Sequence, residues 1–193
     1  MSLQSKNAID LLLSESFKEI ATTKPIEKIT IKEITDKAGV IRPTFYNHFQ
    51  DKYELLEWIV QTELIDPMDP MIDRGQLKES VVDALTVMSR EKEFFIKAVR
   101  LEGQNSFKEI LVQKVTELIL KKLDAKKIEE KIVYPWLTPQ RAAEFFASTF
   151  CYAVIEWVED GMKVPIEDVV NIFVFLMVNS PVDMIEKLEG NTN

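Results

Sequence analysis

One short segment, residues 30–52, restricts the fold of this chain more than any other part of it. Thr30 and Glu33 have the spacing of a capping box, in which each side chain bonds the other residue's free backbone N–H and a helix begins. Gly39 follows where a left-handed residue ends a helix. Pro43 then suits the first turn of a second helix, because its missing N–H is not needed there. The segment therefore predicts two short helices joined by a tight turn.

Apolar residues recur at helical spacing in this segment, which predicts that one side of each short helix is buried. The second helix carries Ile41, Phe45 and Phe49 at i, i+4 and i+8, and we expect all three to face the core. Its opposite side is polar. A capping pattern at Asp51 predicts a further helix that runs to about Asp66.

The rest of the chain continues in amphipathic helices, and no part of it alternates as a strand does. The pattern DPMDPMIDRG at residues 66–75 contains two prolines and a glycine, which predicts a break in the helices and a hinge. Thr138-Pro139 and Pro165-Ile166 predict the starts of two strongly apolar helices. We expect an all-α fold of about nine helices, divided into a head, residues 1–66, and a body, residues 67–193.

The composition excludes several kinds of chemistry. His48 is the single histidine, so sites that need several histidines, such as helical di-iron sites, cannot form. The glycines are scattered singly, which excludes the clustered glycines of phosphate-binding loops. Cys151 is the single cysteine, and its place on an aromatic, helix-periodic stretch predicts a buried thiol. We expect no catalytic residues, no metal and no cofactor.

The charge pattern gives only weak support for nucleic-acid binding. The net charge is −8, whereas affinity for DNA depends on neutralising phosphates. Residues 22–53 nevertheless hold six basic residues against four acidic ones, a local charge of +2. This is a modest basic face on an acidic chain.

No part of the chain has the pattern of a membrane span or a signal peptide. The longest apolar stretch, residues 169–178, is interrupted by Asn171 and is far shorter than the ~20 residues of a transmembrane helix. The N-terminal residues lack a basic region followed by an apolar run. We therefore expect a cytoplasmic protein without membrane contact.

The sequence TIKEITDKAGVIRPTFYNHFQDK at residues 30–52 resembles the DNA-binding domain of the TetR family of bacterial regulators. The family signature runs from a Thr-started helix through Ala-Gly-Val to Thr-Phe-Tyr-x-His-Phe and an acidic-Lys pair. The resemblance implies a three-helix helix-turn-helix head on a helical body that binds a ligand and dimerises. It also implies a ligand-responsive regulator, such as a repressor, that binds a palindromic DNA operator as a homodimer.

The second short helix has the size of a DNA-reading helix, because a helix fits the major groove, which is ~12 Å wide. The residues expected to contact bases are Arg42, Pro43, Thr44 and Asn47. The resemblance implies a second set that contacts phosphates, namely Thr30, Tyr46, His48 and Lys52. Each of these has a structural alternative as a helix cap, a half-buried side chain or a solvated charge. The family commonly has Ser or Thr where this chain has Ile41, so a helix cap worth roughly 0.5 to 2 kcal/mol is absent.

Two further sets of residues lie wholly or mainly in the body. The two apolar C-terminal helices carry more apolar residues than one buried stripe needs, which predicts a four-helix dimer interface. Its members are Phe145, Phe146, Phe150, Tyr152, Trp157, Ile172, Phe173, Phe175 and Leu176. The alternative is that one subunit buries them all. The candidate ligand pocket, which has ordinary core packing as its alternative, comprises Trp58, Met88, Phe94, Phe95, Phe107 and Trp136.

Other functions remain open at the level of the sequence. One is a helical enzyme or carrier that uses a pocket in the body, and another is a protein-interaction or small-molecule-binding module that does not bind DNA. The head and the overall length are also similar to those of regulators of dihydroxyacetone-kinase operons. That similarity implies a short polyol or ketone as the signal, or a partner protein that reports it.

Overall fold

The computed structural model describes residues 3–103, 105–125 and 136–178, and these ranges contain helices and turns without a β-strand. The all-α prediction is confirmed. The helices in chain order are α1 (Leu3–Thr23), α2 (Ile31–Ala38), α3 (Arg42–Tyr46), α4 (Lys52–Ile59), α5 (Met68–Asp73), α6 (Leu77–Arg90), α7 (Lys92–Val99), α8 (Phe107–Ala125), α9 (Pro139–Glu159) and α10 (Ile166–Val178). A 3-10 turn at Ile26–Lys28 precedes α2.

The helices α1, α2 and α3 pack around apolar side chains that recur at helical spacing. Leu13 and Phe17 of α1, Ile34 of α2 and Phe45 of α3 are completely buried. Their burial orients α3, which is too short to be stable by itself.

The helix α4 continues into a π-helical stretch at Val60–Ile65. The N–H of Asp66 donates to the carbonyl of Gln61 at 2.8 Å, which is the i to i+5 bond of a π-helix. This stretch connects the head to the body.

The predicted break at residues 66–75 is wrong in one respect, because α5 forms inside it. Pro67 caps this helix and Pro70 lies in its first turn. A backbone N–H at these positions would have no partner within the helix, so its absence in proline does no harm. The helix ends before Gly75, whose φ of +77° is left-handed. The chain therefore turns at Gly75, after α5, and not at the prolines.

In the body, α8 and α9 lie side by side, and α7 and α10 pack on α9. Cys151 of α9 is completely buried, which confirms the prediction, and burial raises the pKa of its thiol to about 12. Among the described helices, none has both the length and the apolar character to cross a membrane.

Candidate nucleic-acid interface

The start of α2 is fixed by the predicted capping box, which is confirmed. The Oγ1 of Thr30 accepts from the N–H of Glu33 at 3.2 Å, and a Glu33 carboxylate oxygen accepts from the N–H of Thr30 at 2.9 Å. Lys24 donates to the same carboxylate at 2.6 and 2.8 Å. These bonds, first from Lys24 and then from Thr30, lower the pKa of Glu33 to about 2.

A tight turn at Gly39 sets the position of α3 relative to α2. Gly39 has φ +65° and ψ 28°, the left-handed conformation predicted for the residue that ends a helix. The N–H of Val40 then donates to the carbonyl of Thr35 at 3.0 Å. The two helices are therefore joined by a tight turn, as in a helix-turn-helix unit.

One face of α3 is packed against the core, and the opposite face is exposed to solvent. Phe45 is completely buried and lies edge-on to Tyr46, with ring centroids 5.7 Å apart. Tyr46 itself is 51% exposed, and its hydroxyl accepts from Arg42 at 3.4 Å. The predicted base-contacting residues Arg42, Pro43 and Asn47 are exposed, and Thr44 is half-buried.

The expectation that Ile41 faces the core is wrong, because Ile41 is 70% exposed. Ile41 is not part of the helix: it is the N-cap of α3, and its backbone is extended at φ −87° and ψ 151°. The i, i+4 spacing holds only between residues that are both helical. As expected, its side chain makes no capping hydrogen bond.

The side chain of His48 has a partner inside the head. Its Nδ1 lies 2.6 Å from Oδ1 of Asp10 in α1, and the two side chains are only 2% and 7% exposed. The contact joins the segment that follows α3 to α1. The sequence analysis did not single out Asp10. Asp10 precedes the core residue Leu13 by three positions and so lies on the same, buried face of α1, and a carboxylate on a buried face indicates a polar partner.

Lys52 also bonds within the head. Its ammonium donates to the backbone carbonyls of Ile26, Glu27 and Ile29 at 2.8, 2.6 and 2.9 Å. Burial lowers the pKa of Lys52. The residue therefore closes the turn before α2. His48 and Lys52 are thus bonded within the head, whereas Thr30 and Tyr46 are exposed.

Comparison with known proteins identifies both halves of the chain. The family described as bacterial regulatory proteins, tetR family, matches residues 17–59, and the family described as transcriptional regulator C-terminal region matches residues 75–179, more than half of the chain. The chain belongs to the TetR family of bacterial transcriptional regulators. This is a family of regulators and not of enzymes, as the composition predicts.

Curated TetR-type relatives match parts of the chain. The HTH-type dhaKLM operon transcriptional activator DhaS of Lactococcus lactis is 25% identical over 86 residues, 45% of this chain and 46% of that protein. The uncharacterized HTH-type transcriptional regulator YxbF of Bacillus subtilis is 33% identical over 69 residues, 36% of this chain and 14% of that protein. The matched segments span less than half of these relatives. The predicted similarity to regulators of dihydroxyacetone-kinase operons agrees with the first match.

Solved structures share the TetR fold over nearly the whole chain. The dihydroxyacetone kinase operon activator DhaS superposes with a TM-score of 0.62 at 21% identity, covering 88% of this chain and 94% of that one. The repressor NalD of Pseudomonas aeruginosa gives 0.58 at 19% identity over 89% and 95%. FadR of Thermus thermophilus, in complex with lauroyl-CoA, gives 0.57 at 15% identity over 89% and 97%.

The six residues of the predicted ligand pocket have different environments in the described part of this TetR-family chain. Four of them are buried in the core: Met88, Phe94, Phe95 and Phe107. The ring centroids of Phe94 and Phe95 are 5.1 Å apart, and those of Phe95 and Phe107 are 5.8 Å apart. Trp58 is half-buried and lies edge-on to Phe49. Trp136 is 71% exposed, with the Arg141 guanidinium 4.6 Å from its ring centroid. Aromatic residues at helical spacing fill the core here, which is their commonest use.

The predicted dimer residues on α9 and α10 divide into exposed and packed side chains. The exposed ones are Phe145, Phe146, Tyr152 and Ile172. Phe150 and Phe173 pack against each other between the two helices, with ring centroids 5.0 Å apart. Phe175 is half-buried, and the side chain of Leu176 lies outside the described residues.

Trp157 departs from this pattern because it is buried within the subunit. Its Nε1 donates to the backbone carbonyl of Val164 at 2.8 Å. That bond closes the turn between α9 and α10, so Trp157 fixes the angle between the helices and does not lie on their outer face.

Proposed function

We propose that this chain binds a palindromic DNA operator as a homodimer, and that a signal received by the body changes its affinity for the operator. The observation that carries the proposal is the bare outer face of α3, which the buried ring of Phe45 holds in place. A short helix presented in this way can enter the major groove, where base edges are distinguishable.

The side chains proposed to contact DNA lie in residues 30–52, the reading segment, and they divide by chemistry into two sets. Arg42 offers a bidentate donor pair to guanine, and Asn47 can pair with adenine. Pro43 and the methyl group of Thr44 suit thymine methyls. Tyr46 and Thr30 reach phosphates and fix the register on the duplex. His48 and Lys52 contribute indirectly: His48 joins the segment after α3 to α1, and Lys52 holds the turn before α2.

One head makes few base contacts, so specificity requires a second copy. In a twofold dimer the two reading helices meet successive major grooves about 34 to 36 Å apart. The exposed rings of Phe145, Phe146 and Tyr152 on α9, together with Ile172 on α10, form an apolar face that suits an isologous interface. We therefore assign dimerisation to α9 and α10.

A charge introduced on this face tests the dimer. Phe145→Glu places a carboxylate in the proposed interface, where its desolvation opposes association. We expect light scattering at micromolar concentration to give a dimer mass for the wild type and a monomer mass for Phe145→Glu. Leu11→Glu is the matched control, because Leu11 is a similarly exposed apolar residue of α1. A monomeric wild type contradicts the proposal.

The signal must pass between body and head, and one buried cation connects them. Lys18 of α1 donates to Glu63 of the π-helical stretch at 2.9 Å and to Glu91, between α6 and α7, at 2.7 Å. Burial acts to lower the pKa of Lys18, but the hydrogen bonds that it donates to Glu15, Glu91 and Glu63 outweigh burial and raise that pKa. A small molecule or partner protein that moves the corner between α6 and α7 therefore also moves the head.

Selection from a random duplex library with the full-length protein tests DNA binding, half-site spacing and symmetry together. We expect a palindrome whose affinity falls steeply with salt, since phosphates are neutralised on binding. Arg42→Ala should lose preference at one base pair in each half-site. Failure to retain any duplex at low salt overturns the proposal and favours a module that binds proteins.

A further inference from the structure

The inference concerns Ile41, which stands at the start of the reading helix and contributes little to the fold. Its side chain is 70% exposed, so most of its apolar surface remains in water. It also leaves α3 without a side-chain cap. Ser or Thr in its place would stabilise the helix by accepting a backbone N–H. Both observations indicate that isoleucine at this position makes the fold of the isolated chain less stable than Ser or Thr would.

The neighbours of Ile41 suggest what covers its side chain. Arg42 and Pro43 follow it directly and are exposed. The N-terminal residues of a reading helix are those that contact base edges in the major groove. The major groove presents one apolar group, the C5 methyl of thymine, and aliphatic side chains contact it.

We propose that Ile41 packs against the C5 methyl of a thymine in each operator half-site and so distinguishes thymine from cytosine at that base pair. This rests on the proposed binding of an operator by α3. The contact buries the Ile41 side chain when DNA binds. Its apolar surface, which stays in water in the free protein, therefore stabilises the complex instead of the fold. Ile41 is then a specificity-determining residue outside the helical part of the reading segment.

Replacement of thymine by uracil tests the contact, because it removes only the methyl group. In the selected operator, each thymine of a half-site is changed to uracil in turn, and dissociation constants are measured for the wild type and for Ile41→Ala. Apart from any thymine that Pro43 or Thr44 contacts, we expect a position at which uracil weakens wild-type binding about four-fold, the value of one buried methyl. The same uracil should leave the affinity of Ile41→Ala unchanged.

Two further variants separate recognition from folding. Ile41→Ser should raise the midpoint of denaturant unfolding, because it restores a cap, and should still lose the response to uracil. A folding defect cannot produce that combination. Leu11→Ala, which trims an exposed apolar residue of α1, should keep the wild-type uracil pattern.

Several outcomes overturn the inference while leaving the proposed function intact. They are a selected half-site without thymine, wild-type binding that is insensitive to every uracil, and an equal uracil effect in the wild type and Ile41→Ala. Absence of duplex binding by the wild type overturns the proposed function, and this inference with it.

Discussion

At the start of α2, a single carboxylate makes the fold of the head depend on pH. Glu33 accepts from Lys24 and from the N–H of Thr30 most strongly when it is ionised, and these bonds lower its pKa from the ordinary 4.5 to about 2. A carboxyl whose pKa is lower in the folded state stabilises the fold above its unfolded pKa, and this stabilisation is lost as the pH falls through the folded pKa.

We therefore expect Glu33→Gln to be less stable than the wild type at neutral pH and to approach it between about pH 4.5 and about pH 2. The measurement is urea unfolding followed by far-ultraviolet circular dichroism across this range. Asp36→Asn is a suitable control, since Asp36 is an exposed carboxylate of the same helix, paired with Lys32. A stability difference for Glu33→Gln that is constant down to pH 2 contradicts the assignment.

The turn between α2 and α3 depends on the backbone of one residue. Gly39 has a φ of +65°, and a Cβ placed there would meet no atom within 4 Å. The cost of a side chain is therefore conformational and not steric. Gly39→Ala should lower the free energy of unfolding by about 1 to 2 kcal/mol, the cost of the left-handed conformation for an L-residue.

Gly39→Asn distinguishes this cause from a packing defect. Asparagine tolerates the left-handed region better than alanine does but is larger, so we expect it to be the more stable of the two variants in urea unfolding. If Gly39→Asn is the less stable variant, the turn is limited by space and not by φ.

The sequence predicts helices well where the signal is local. The bonds at Thr30 and the conformation of Gly39 each depend on a few consecutive residues, and both predictions are confirmed. Prediction failed at Ile41 because helical periodicity was extended across a helix end. It failed at α5 because prolines in the first turn do not break a helix.

The candidate interface was less predictable than the helices around it. The exposed face of α3 follows from its polar pattern, but the partners of His48 and Lys52 lie far along the chain, in α1 and in the turn before α2. Such pairings depend on how the helices pack, which no local pattern encodes. The contacts of these two residues therefore required the three-dimensional structure.

At the scale of the whole molecule, the contact of Lys18 with three carboxylates includes a polar link between head and body, its bond to Glu91. Its side chain is 7% exposed, and it bonds Glu15 of its own helix as well as Glu63 and Glu91. Burial raises the pKa of Glu63, which indicates that this carboxylate depends on the lysine to remain ionised. Removal of the cation leaves charged groups without a partner.

Lys18→Met keeps the apolar stem and removes the charge, so it should lower the free energy of unfolding by about 3 kcal/mol, as when one partner of a buried ion pair is lost. In the double variant Lys18→Met with Glu63→Gln, the unpaired charge is also absent, and we expect part of that loss to be recovered. Lys37→Met, which breaks the more exposed pair with Glu19, should change stability by less than about 1 kcal/mol. If the two single losses simply add in the double variant, Lys18 and Glu63 are energetically independent, and the assignment of this ion pair is contradicted.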